Sequence, residues 1–272
     1  MRKMSFFFLS FILYIQGGEL EHSGMKFWEG NTFHQTTVDV SKSSEGIIRA
    51  KIDGEWQEFK IRRLPEDFIK WDFERRLETL KSIREHKSPP LSGPHNAMVA
   101  SYGVRRFDTQ FKINNAVKGM GFIPKPEKLP EVMELLKSTM DTTLSEKLRI
   151  LERFYKKPEI FDFTKQVSLE LYSTPEFETH TFLNQMANPA VSIVFLDIPC
   201  FEIKAIAQLL HPEDERLSDY ERDVVEYVNL IHSYFHGKFK KRFIAVIYHI
   251  IEVYNNTPGT KQGMGRRVVP EK

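Results

Sequence analysis

The sequence predicts an α+β protein built on antiparallel strands. Period-two apolar runs recur through its second half, two capping boxes open amphipathic helices, and no regular strand-helix alternation marks a parallel sheet. At 272 residues the chain suits one large domain or two small ones. Lys and Arg total 39 against 37 Asp and Glu, a net charge of +2. That is too little for a general nucleic-acid binder, whose phosphate contacts need a strongly basic surface. A single cysteine, Cys200, excludes an intramolecular disulfide and a Cys-based zinc site. With no cation nearby to activate a thiolate, it reads as packing.

Residues 1–24 form an apolar N-terminal segment. Arg2 and Lys3 precede an apolar run from Ser5 to Ile15 that includes Phe6, Phe7, Phe8 and Phe11. The run is too short to span a bilayer, so no stable membrane insertion is expected. It has the form of a signal peptide, with a poor cleavage pattern at Gln16-Gly17-Gly18. A core strand is the competing reading, and Met25 is a third candidate start. A cytoplasmic protein is expected, or an exported one if residues 1–18 are a signal.

Residues 25–64 read as a β-hairpin extension, with Ile48 and Ile52 leading to the Asp53-Gly54 turn and Trp56, Phe59 and Ile61 on the return. Pro65 then suits a first helical position, and Ile69, Phe73, Leu77, Leu80 and Ile83 recur at three- and four-residue steps, predicting a helix over 66–86. Lys87 to Pro94 is a Pro/Ser/Gly linker. Strand-like runs follow at 97–100 and from Phe107 to Ile113, separated by a turn at Gly103, with 117–123 continuing the second. The stretch 124–158 is a helical insertion punctuated by prolines, whose second helix opens with Thr143-Leu144-Ser145-Glu146.

Beyond it, Val167, Leu169 and Leu171 alternate with Gln166, Ser168 and Glu170, predicting a half-buried strand. Ala190 to Ile198 is more continuously apolar, and Phe201 to Leu209 alternates strictly. Ser218-Asp219-Tyr220-Glu221 caps a helix that Gly237 ends. From Phe243 to Val253 both faces are apolar, so this strand needs cover on two sides: a barrel interior on one, a helix or a second subunit on the other. Residues 256–272 read as a basic, disordered tail.

The passage Leu171-Tyr172-Ser173-Thr174 through Asn188-Pro189-Ala190-Val191-Ser192-Ile193 to Asp197 resembles the FMN-binding split β-barrel of pyridoxamine-phosphate-oxidase-like proteins. The order of elements over residues 66–255 is also similar. The resemblance implies an antiparallel split β-barrel core with flanking helices, a homodimer, and FMN held where a strand runs through a Ser/Thr loop into a short helix. On that pattern Ser173, Thr179 and Thr181 would face the phosphate, and Asn184 would support the short helix. Thr181 stands where many members carry a phosphate-binding Lys. Arg105 or Arg106, beside the hairpin turn, would restore the countercharge, since a guanidinium makes paired bonds to phosphate oxygens. Arg267-Val268-Val269-Pro270 is similar to a C-terminal stretch of some related oxidases. An oxidoreductase acting on a small-molecule ligand follows from the resemblance.

Two alternatives stay open. One is a non-catalytic binding or assembly protein that has lost the cofactor, the 124–158 insertion filling the vacated cleft. The other is a haem-binding split-barrel protein using His232, His236 or His249; the first two stand four apart on one helix face but lack an evident third ligand.

Overall fold

The computed structural model describes residues 26–88, 90, 92–259, 261 and 263–271. The apolar segment 1–24 lies outside the described residues. In chain order the strands are β1 (Val38–Asp39), β2 (Ile47–Ile52), β3 (Glu55–Lys60), β4 (Asn96–Tyr102), β5 (Ile113–Gly119), β6 (Lys165–Glu170), β7 (Ala190–Phe195), β8 (Phe201–Leu210), β9 (Ile244–Asn255) and β10 (Arg266–Val269). The helices are α1 (Glu66–Arg84), α2 (Leu129–Ser138), α3 (Leu144–Tyr155), α4 (His180–Ala187) and α5 (Asp219–His236). The protein is α+β.

Strands β4 to β9 form an antiparallel barrel. The ladder runs β5-β4-β7-β8-β9, and β6 pairs with β9. The ring closes just past β5, where Gly121 and Val167 exchange two backbone hydrogen bonds of 2.9 Å. Along β5 itself no backbone ladder joins it to β6, so the wall is split there, and side chains span the gap. Lys118 Nζ of β5 meets Glu170 Oε2 of β6 at 2.5 Å, the carboxylate buried and the lysine mostly covered.

The interior takes the alternate residues of each strand, among them Val99, Ile193, Ile203, Ala205, Ala207, Val246 and Tyr248. Helix α1 packs against one end of it. Phe68 meets Phe195 and Phe201 edge-on, with ring centroids 5.2 Å apart, and Phe73 stacks on Phe122 at 5.2 Å. Many of the phenylalanines are thus accounted for by one continuous aromatic core.

Several expectations are corrected. Strand β6 is buried on both faces. Gln166, Ser168 and Glu170 point into the barrel rather than to solvent, because α5 and α2 cover Val167 and Leu169 outside. The second run of the β4–β5 hairpin becomes a strand only at Ile113; residues 106–109 turn, with Thr109 N bonded to Arg106 O and the Arg106 guanidinium on the Asp108 carboxylate. The tail is not disordered at 266–269. It forms β10 against the end of β9, where Arg267 reaches Glu252. The N-terminal hairpin is the larger part of a three-stranded sheet, β1-β2-β3, which packs Ile48 and Ala50 on Ile206 of β8.

The two apolar faces of β9 receive their cover from the barrel interior and from α5 with α2. The insertion does not fill a cleft beside the 171–184 loop. Helix α2 packs on α5, and α3 sets Leu148 and Leu151 against Leu80 of α1.

Candidate functional site

The nominated residues gather where two loops meet across the split. The loop before α4 carries Ser173 and Thr179, and the loop between β4 and β5 carries Arg105 and Arg106. Thr179 is the N-cap of α4, its hydroxyl accepting from Phe182 N at 3.1 Å. Ser173 Oγ accepts from Thr179 N at 3.1 Å and closes the turn. Thr181 Oγ1 accepts from Asn114 Nδ2 of β5 at 2.8 Å. Asn184 holds the other loop. Its Oδ1 accepts from Val104 N at 2.7 Å, and its Nδ2 donates to Lys112 O and to Ser101 Oγ. Sequence reasoning missed His180, whose Nε2 donates to Val104 O at 2.7 Å and so adds a second tie between α4 and that loop.

Arg106 joins the loops directly. Its Nη1 donates to Glu178 O at 3.2 Å, 72 residues away, and its guanidinium lies over the rings of Phe107 and Phe177. Its hydrogen bond to Asp108 raises its own pKa and holds the Asp108 carboxyl below the usual range. Arg105 is exposed and makes no ion pair among the described residues. Tyr172 and Phe111 stand exposed on the same two loops.

The fit to a phosphate falls on two of the nominated residues. Thr179 is half-buried and its hydroxyl oxygen accepts from Phe182 N and from Ser173 Oγ at 3.3 Å, so its own proton can be donated outward. Arg105 offers an accessible guanidinium. Ser173, Thr181 and Asn184 are buried behind them and bonded to neighbouring chain, so their part is to hold the loop and α4 in place.

The three histidines considered for haem are not brought together. His232 donates through Nδ1 to Val228 O, and burial lowers its pKa. His249 lies against Gln208, which in turn bonds Glu221 in the first turn of α5. Eleven residues of helix, about 16 Å at 1.5 Å each, separate that turn from His232. Among the described residues, no group of three or more His, Cys, Asp or Glu side chains is arranged to hold a metal ion. No helix among them is long and apolar enough to cross a membrane.

The chain matches no protein-family signature and no curated protein. Four solved protein chains are similar to it. One of these is a protein related to general stress protein 26 of B. subtilis, of the pyridoxinephosphate oxidase family, from Clostridium acetobutylicum. It is 10% identical, with a TM-score of 0.29, over 68% of this chain and 92% of that one. At that score the likeness assigns no role to any residue.

Proposed function

We propose that the protein binds a flavin of the FMN class at the junction of the 103–112 and 171–179 loops, as a homodimer, and serves as an oxidoreductase on a small substrate. The supporting observation is the convergence of those loops: Arg106, pinned to Glu178 O between two phenylalanine rings, sets the exposed Arg105 on the loop that meets the α4 N-cap. In this reading Arg105 supplies the phosphate countercharge and Thr179 donates its hydroxyl proton to a phosphate oxygen, at the positive end of α4. Ser173, Thr181 and Asn184 position the loop and helix, and Arg106 orients Arg105. The flavin, when bound, supplies the acceptor for a hydride or electron pair; the protein supplies its orientation and its charge environment.

The test is a titration of purified protein with FMN, followed by the shift of the flavin absorbance bands and the quenching of its fluorescence. Micromolar binding is expected, weakened about tenfold or more in Arg105→Ala, as fits the loss of a charge-assisted pair. Protein that is colourless as purified and ignores micromolar FMN refutes the reading.

A second reading is favoured by one observation. Ser173, Thr181 and Asn184 are already satisfied by internal hydrogen bonds, while the outer face of β5 leaves Ile113 61% and Val117 70% exposed. A cofactor-free assembly protein would use that bare face for self-association. It would sediment as a dimer without flavin and stay a dimer in the Arg105→Ala variant.

A further inference from the structure

A groove of about 500 Å³ runs along the outside of the barrel, between the N-terminal sheet and strands β4, β7, β8 and β9. It faces away from the buried residues of the α4 loop: Ala100 and Ser192 line up across β4 and β7 on the outer face, whereas Ser173, Thr181 and Asn184 lie on the inner side of the split. We infer that this groove is a binding site for a small amphipathic anion, an aromatic or aliphatic body carrying one carboxylate or sulfonate.

Size and lining support the body of such a ligand. The volume is within the range of small-molecule sites, and most of the lining is apolar. Its floor is shallow because two outward positions of neighbouring strands are alanines, Ala100 and Ala190, both only partly covered. Phe59 of β3 and Tyr102 of β4 both line it, so aromatic faces are available to a flat or slender group on the floor.

Charge supports the anion. Lys204 is the groove's exposed cation, its Nζ 4.8 Å from the centre of the Tyr254 ring, and it makes no ion pair among the described residues. The carboxylate next to it in register, Glu252, is engaged elsewhere: it accepts from Tyr254 Oη at 2.8 Å and meets Arg267 Nη1 at 3.4 Å. Arg267 of β10 therefore offsets the charge of Glu252 and Glu202 is held by Ser192 and Asn256, so the Lys204 ammonium stands at the mouth of an apolar slot without an ion pair among the described residues. A low-dielectric wall on one side strengthens its pull on an anion. The sequence shows Lys204 only as a polar position on an alternating strand, because the groove is walled by a sheet about 150 residues earlier and the acid beside Lys204 is engaged by a tail about 60 residues later.

The experiment uses two fluorescent probes of similar shape on the full chain: 1-anilinonaphthalene-8-sulfonate and the uncharged N-phenyl-1-naphthylamine. Lys204→Ala is expected to weaken the sulfonate about tenfold and leave the uncharged probe unchanged. Ala100→Trp, which fills the floor from a partly exposed position, is expected to abolish binding of both. Arg105→Ala is expected to change neither, which separates this site from the flavin reading. Unchanged circular dichroism and melting temperature establish that the variants are folded, and a variant that fails this check is replaced by Lys204→Gln or Ala100→Phe. Equal sulfonate binding by wild type and Lys204→Ala, equal binding by wild type and Ala100→Trp, or no binding up to millimolar probe overturns the inference.

Discussion

The barrel wall has two outer faces that differ in what covers them. Over β6 and the first half of β9, helices α5 and α2 bury Val167, Leu169, Ala245 and Ile247, so those strands are apolar on both sides. Over β5 and the end of β4 no helix gives such cover among the described residues, and Ile113, Val117 and Tyr102 stand exposed. Both stretches belong to one continuous sheet. The covered face is dry on both sides of the sheet, and the bare face leaves its apolar side chains exposed. Contiguous exposed apolar surface of that kind is the usual mark of an interaction site.

The largest effect is expected at the buried end of the barrel that α1 closes, the opposite extreme from the bare face. Asp72 is fully buried and bonded to Arg76, whose guanidinium also donates to Pro94 O and Met120 O and lies over Phe122 and Tyr155. Arg76→Ala strands a buried carboxylate and two carbonyls. A loss of about 3–5 kcal/mol is expected in urea unfolding. A loss below about 1 kcal/mol would show that this buried pair is as tolerant of change as the bare face.

Next comes pH. Burial holds both His95 and His249 down to about 3. Below their unfolded value of about 6.5 the unfolded chain takes up protons that the folded chain refuses, so stability falls as pH falls. Asp72 acts in the opposite sense, since burial lifts its carboxyl to about 6 against the pull of Arg76, and the folded state then binds the proton more tightly. The net is a loss of about 2 kcal/mol between pH 7 and 5.5, read from melting curves across that range. A flat curve would mean that the two histidines are hydrated rather than dry.

The smallest effect on stability belongs to the bare face. Val117→Lys should change unfolding free energy by no more than about 0.5 kcal/mol, the usual range for a surface substitution. Its consequence should appear in sedimentation instead, as loss of the dimer proposed above. A large drop in monomer stability would place Val117 in a core, and the contrast between the faces would fail.

Much of this fold was legible in the sequence wherever neighbours along the chain decide the outcome. Thr143 and Ser218 cap their helices as the motifs indicate, and Ser218 forms the full reciprocal box with Glu221. Asp53-Gly54 turns the β2–β3 hairpin. Strict alternation marked Phe201 to Leu209 as a strand despite its alanines, because a period of two places every second residue on one face whatever lies opposite.

The polar members of β6 were misplaced for the same reason seen from the other side. Periodicity separates Gln166, Ser168 and Glu170 from Val167 and Leu169 but does not say which set meets the interior. Lys118 decided part of that by reaching Glu170 from across the split. Strand β10 escaped because a short basic stretch has no pattern of its own until Glu252 and the edge of β9 are beside it.

At the candidate site the division is similar. The family resemblance singled out Thr179, Thr181 and Asn184, residues that shape α4 locally. The sequence by itself determined the α+β class, the antiparallel strands, the helix boundaries and the alternation of each face, since all of these depend on residues a few positions apart. Tertiary structure alone decided which nominated hydroxyls stay accessible, that Arg106 bridges to Glu178, and that Lys204 is left without an acidic partner. Those outcomes depend on groups tens to hundreds of residues apart, whose meeting is set by barrel closure rather than by local preference.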